Sequence, residues 1–186
     1  MRMTRLELMR SVTRNGDPLL GVVRIVLTAL LGLSIAGVAA IGLLLPVMFA
    51  RRGEMAARLA RQGFEAASVE WLAVLLLLIA AMTALAFFFL RHLRRIVDTV
   101  LGGEPFVPAN AGHLRHMAWL VLAIQVLAVP MTGLAVWFDA APFKPNVHHG
   151  SNGISMWGLV LALVLFVLAR VFRVGSEMRD ELEGTI

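Results

Sequence analysis

Residues 71–101 read WLAVLLLLIAAMTALAFFFLRHLRRIVDTVL. From Trp71 to Leu90 the stretch carries no charge, and Thr83 is its only hydroxyl. As a helix those residues rise about 30 Å, the thickness of a bilayer's hydrocarbon core. Backbone N–H and C=O groups in lipid must be satisfied within the chain, and a helix does this for every residue of the run. At Arg91 the character changes. Leu93, Ile96, Val97, Val100 and Leu101 recur at i, i+3, i+4, i+7, with Arg91, Arg94 and Arg95 between them. The pattern predicts one helix that leaves the membrane and continues as an amphipathic extension whose arginines meet lipid phosphates. Gly102-Gly103-Glu104-Pro105 then stops it.

Working outward, three more apolar runs of similar length follow from the same reasoning, at about residues 22–50, 117–138 and 156–174. The first lies behind a polar segment with Arg2, Arg5, Arg10 and Arg14, which resembles the start of a signal peptide. Its apolar run is too long for an h-region of about 7–15 residues and reads as a retained span. Asp17 can cap that helix, with Pro18 in its first position. Trp71, Trp119 and Trp137 fall near span ends, where indole rings favour the interface. Pro46 and Pro130 lie inside spans, where bundles tolerate them. In segment 51–70, Met55, Leu59 and Gln62 share helical spacing, so a short helix lying at the interface is expected. Pro105 and Pro108 bracket Phe106 in an extended stretch, and Asn110 is the expected cap of the third long helix. The fold class is therefore all-α, a polytopic membrane four-helix bundle. It forms a single membrane domain over residues 1–186, with a loop at 91–116 and an acidic tail at 175–186.

Composition agrees. The chain has 186 residues, 59% of them hydrophobic, and a mean hydropathy of +0.82, against about 45–50% apolar for a soluble domain. It has no Cys, so disulfides and thiolate chemistry are excluded. The net charge of +5 comes from arginines and a single lysine, Lys144. In an apolar chain this balance points to loops facing anionic lipid and not to direct nucleic-acid binding. Twelve of the seventeen basic residues fall with the N-terminus, the middle loop and the C-terminus. The rule that positive loops stay inside then places both termini in the cytoplasm of a cell inner membrane. The four arginines of segment 51–70 oppose that count, and the N-terminal excess outweighs them.

Chemistry is sparse. No acidic or histidine side chain lies near the middle of any span, which argues against a proton-coupled transporter. A haem bundle needs facing histidines between helices; His92, His113 and His116 sit at the boundary, and His148 and His149 in the second outer loop. His113 and His116, i and i+3, are weak candidates for a metal pair with Glu104 as a third ligand, and His148-His149 with Asp139 is weaker. No Gly-x-Ser-x-Gly, phosphate-loop or His-Glu-x-x-His motif is present. No catalytic residue, cofactor or metal is expected. Gln125 is the one sizeable polar side chain at depth, where an interhelical hydrogen bond is its ordinary role. Ser34, Ala36, Gly37, Ala40 and Ile41 form a small-residue face that suits packing within the chain or a homo-oligomer.

Phe88-Phe89-Leu90-Arg91, Arg95-Ile96-Val97, Gly103-Glu104-Pro105-Phe106, Asn110, Leu114-Arg115-His116-Met117-Ala118-Trp119 and the ending from Leu168 to Ile186 resemble a bacterial family of small four-span membrane proteins, domain of unknown function 2975. Members of that family are often encoded beside a small helix-turn-helix regulator of the Xre type. The resemblance implies a non-enzymatic regulatory or interaction protein that tethers or tunes such a regulator. Glu104, Phe106, Asn110 and the tail acids Glu177, Asp180, Glu181 and Glu183 are the expected partner surface. A small transporter or permease subunit is the alternative.

Overall fold

The computed structural model describes residues 18–61, 68–103, 106–139 and 154–183. The described residues form five helices and no strand. These are α1 (Pro18–Ala50), α2 (Arg52–Arg61), α3 (Ser68–Leu101), α4 (Pro108–Asp139) and α5 (Met156–Glu183). All but α2 are long and apolar enough to cross a membrane. The expected cap at Asp17 lies outside the described residues.

The helices run longer than the apolar stretches because polarity ends a membrane span but not a helix. α3 passes through Arg91 without a break and ends only at Leu101. Gly102 N–H donates to Asp98 O, and Gly103 N–H to Val100 O. Gly103 takes φ +80°, the left-handed terminus that side chains resist. Gly103→Ala is expected to cost about 1 kcal/mol, measured as the unfolding midpoint in detergent micelles. α4 begins at Pro108, nine residues before the expected boundary. Proline suits this first position because its missing N–H is one the helix leaves unbonded. Between Arg91 and Met117 the described residues are thus mostly helical, α3 continuing to Leu101 as expected and α4 starting at Pro108.

The long helices pack only on their neighbours in sequence. α1 lies on α3, α3 on α4 and α4 on α5, with no close backbone approach between α1 and α4, α1 and α5, or α3 and α5 among the described residues. This corrects the expected four-helix bundle. The array is an open row whose larger buried cluster lies among α3, α4 and α5, and many large apolar side chains face outward. Leu33, Leu43, Val126 and Leu163 are exposed examples. Outward apolar residues carry no penalty in lipid, where tails are as apolar as leucine.

The tightest seam joins α4 and α5. Leu114, Met117, Ala118, Val121 and Gln125 follow 3–4 spacing on α4, and Gly158, Ala162, Leu165 and Ala169 do so on α5. That alternation keeps one stripe of each helix against the other. Ala118 is fully buried and Ala162 nearly so. Alanines there let the backbones approach, which is how helices associate when lipid removes the hydrophobic drive. Phe89, Leu93 and Ile96 of α3 cover the same cluster from the other side.

On α1 only part of the small-residue face meets α3: Ser34, Gly37 and Ile41 are half-buried while Ala36 and Ala40 are exposed. A Cβ at Gly37 would lie 3.8 Å from Thr83 Cγ2 of α3. α2 folds against the far end of this pair, with Met55, Ala56 and Leu59 covering Met48, Val69 and Ala73. The helical spacing read from Met55 and Leu59 is the face used; Gln62 lies outside the described residues.

Candidate functional site

The row has one end where charge and hydrogen bonding concentrate. It is built from the last three turns of α3, the first turns of α4, the middle and C-terminal half of α5, and Arg24 of α1. The i, i+3, i+4 pattern on α3 turns Leu93 and Ile96 to the core and leaves Arg91 and Arg95 exposed. Arg115 on α4 and Arg170 and Arg173 on α5 are exposed near the same end. Arginine suits this zone because its stem lies along apolar surface while the guanidinium reaches water or phosphate.

Asp98 is the acidic hub of this end. It meets Arg24 of α1 at 3.3 Å and Arg94, one turn back, at 3.8 Å. The Arg24 and Asp98 side chains are 55% and 40% exposed, so water screens the pair. Asp98→Asn is expected to change stability by less than about 1 kcal/mol, read from the same micelle unfolding curve.

Asn110 and Thr99 pin α3 to α4. Asn110 Nδ2 donates to Thr99 Oγ1 at 2.8 Å. The Thr99 hydroxyl lies 2.7 Å from Ile96 O and 3.1 Å from Asn110 Oδ1. A hydroxyl has one proton, and the shorter approach to Ile96 O is compatible with the Asn110 donation. Asn110 is fully buried. Two expectations change here. Asn110 lies inside the first turn of α4 and not at its cap, since the helix already starts at Pro108. A side chain with no exposed surface also belongs to the interior of the α3–α4 corner, not to an outward partner surface.

Phe106 turns back onto α5. Its ring centroid lies 5.5 Å from that of Phe172, and its edge fills the space a Cβ at Gly175 would need, 3.2 Å away. It remains 45% exposed, so it both braces α5 and presents surface. Glu177 and Glu181 are exposed on the last turns of α5. Glu104, and the side chains of Asp180 and Glu183, lie outside what the structure describes.

Three histidines meet where α3 leaves its apolar stretch. His92 Nδ1 and His113 Nδ1 are 3.1 Å apart, one donating and the other accepting. His116 Nδ1 donates to Gly112 O at 2.8 Å, and its ring stacks on His92 at 5.4 Å with 7° between planes. Metal ligation uses lone pairs in the ring plane, and stacked rings do not aim those at one point. Among the described residues no three His, Asp or Glu side chains are grouped to hold a metal. His113 and His116 thus both meet His92, one by a hydrogen bond and the other by stacking, while the His116 Nδ1–H goes to its own helix backbone. His148 and His149 lie outside the described residues. Sequence spacing within α4 could not reveal His92 as the partner; the signal lay in the helical extension of α3, which carries His92 alongside His113.

Gln125 acts between α4 and α5. Its Nε2 donates to Ser155 O at 2.5 Å, on the residue just before α5. Its carboxamide occupies the space above Gly158, where a Cβ would fall 2.5 Å from Cδ. Thr28, Ser34, Thr83 and Thr132 each bond a carbonyl one turn back, as small hydroxyls do in apolar helices.

Four membrane-length helices in an open row, with arginines and buried polar pins gathered at one end, define a multi-pass membrane protein. The family described as "Protein of unknown function (DUF2975)" matches residues 54–186, and the chain belongs to it. The matched region takes in α3, α4 and α5 and therefore the whole arginine-rich end apart from Arg24. No curated protein and no solved structure matches the chain.

Proposed function

We propose that this is a non-enzymatic interaction protein of a bacterial inner membrane, with both termini in the cytoplasm, that holds a small helix-turn-helix regulator at the membrane. The observation that supports this reading is the continuity of α5. The helix runs unbroken from Met156 to Glu183, so Glu177 and Glu181 ride on a stiff extension of a membrane-length helix. Phe106 against Phe172 braces that extension at its base. An acidic helix face held near the membrane would attract the basic surface that a DNA-binding protein keeps for phosphate, and compete with DNA for it.

The test is a crosslinking pull-down from native membranes. It compares the intact protein with a form lacking residues 176–186 and carrying Phe106→Ala, and with Glu177→Lys/Glu181→Lys. The expected result is recovery of one small basic DNA-binding protein by the intact form alone. No such protein recovered, with all forms equally abundant, would sink the proposal.

A further inference from the structure

Between α4 and α5, on the face away from α3, lies an open groove of about 500 Å³ at the arginine-rich end. Its floor is made of small residues, Ala111 and Gly112 on α4 and Ala169 on α5, and Phe166 closes its deeper side. Arg115, Arg170 and Arg173 stand around it, contributed by both helices. No carboxylate lines it. Arg173 has a loose contact at 4.0 Å with exposed Glu177. Neither Arg115 nor Arg170 has a carboxylate partner among the described residues. The groove between α1 and α3 differs, because Asp98 sits among its arginines and already engages Arg24 and Arg94.

An apolar-floored groove on the outer side of two membrane-length helices, with at least two guanidinium groups lacking a carboxylate partner, matches a molecule that is anionic at one end and apolar at the other. We propose that this groove binds the head group of one anionic phospholipid. Its phosphate lies over Gly112 and Ala169 between Arg115 and Arg170, and its acyl chains leave past Phe166 into the bilayer. Arginine holds phosphate through paired N–H donors, and two guanidiniums from facing helices can share one phosphate. Basic pockets between membrane helices at the charged face are the usual seats of such head groups. The lipid bridges α4 and α5 and so supports the stiff C-terminal extension, but its binding does not depend on any protein partner.

The experiment uses the full chain in detergent micelles. Native mass spectrometry compares phosphatidylglycerol with phosphatidylcholine of the same chains, with inorganic phosphate as competitor. Arg115→Gln/Arg170→Gln should weaken phosphatidylglycerol binding roughly 30-fold, about fivefold for each surface arginine. Gly112→Leu keeps every charge and fills the floor, where an added Cβ meets nothing within 4 Å; it should weaken binding as well. Arg91→Gln/Arg95→Gln, on α3, should leave it unchanged. Equal binding of the two lipids, or phosphatidylglycerol binding that survives Gly112→Leu, overturns the proposal. So does displacement by millimolar phosphate, which would make the groove an anion site without a lipid requirement. Should the double arginine variant fail to fold by its helical circular dichroism, Gly112→Leu decides alone.

Discussion

Asn110→Ala is expected to lower the unfolding free energy in micelles by about 2 kcal/mol, within the roughly 1–3 kcal/mol range for losing a buried polar partner. Asn110 is fully buried and donates to Thr99 across the α3–α4 corner. Removing it leaves a small void and strips Thr99 Oγ1 of its donor. Thr99→Val alone should cost a comparable amount, because it takes the acceptor from the fully buried Asn110 carboxamide. The double variant should cost clearly less than the two single changes added, since both break the same bond. Strict additivity would show that the two side chains act independently and that the corner is held by apolar packing. Capture of the proposed regulator by the folded Asn110→Ala protein would agree with a positioning role for this residue and not a contact role.

Gly158→Ala is the second test: the flexible end of the Gln125 side chain must swing aside, so the helix-propensity gain of about 1 kcal/mol should be largely cancelled by the lost Gln125–Ser155 bond. Adding a methyl to a helical glycine ordinarily stabilises, because alanine is the better helix former by about 1 kcal/mol. Here the new Cβ falls on the Gln125 carboxamide and drives it away from Ser155 O. Gln125→Ala alone should cost near the roughly 0.6 kcal/mol average of interhelical hydrogen bonds in membranes. In the Gln125→Ala background Gly158→Ala should become favourable, because the obstacle is gone and only helix propensity remains. A gain that appears only without Gln125 is the diagnostic result, read from thermal unfolding of the four variants. If Gly158→Ala has the same effect without Gln125 as with it, the close approach does not set the seam. Loss of function by Gln125→Leu at unchanged abundance and folding would assign Gln125 a role beyond packing.

The histidines show how sequence spacing both helps and misleads. His113 and His116 are three residues apart, and that spacing puts them on neighbouring positions of one helix face. The structure brings both rings to His92 but gives them different hydrogen-bond partners, His92 for one and Gly112 O for the other. Hydrogen bonds across helices depend on how two helices slide past each other, and residue spacing within one helix carries no record of that sliding. The same limit applies to Asn110. Its type and position suggested a cap, but Pro108 had already started the helix. Phe106 stands out in the sequence by its proline brackets, but its contact with Phe172 is visible only in the folded chain.

The number of membrane-length helices, their approximate ends, the amphipathic run from Arg91 to Leu101 and the gathering of arginines at one end are legible in the residues alone. Each of these follows from local rules. Hydropathy sets what can lie in lipid, the 3.6-residue period sets which side chains share a face, and glycine and proline set where helices stop. Tertiary structure decided that the helices form an open row and not a closed bundle, that Ala118, Ala162 and Gly158 make the seam, and that Asn110 meets Thr99 while Arg24 meets Asp98. The reason is physical. In water the apolar face of a helix must turn inward, so its partner face can be read from the pattern. In lipid every apolar face is equally content outward, and close packing of small residues with a few polar bonds chooses among them.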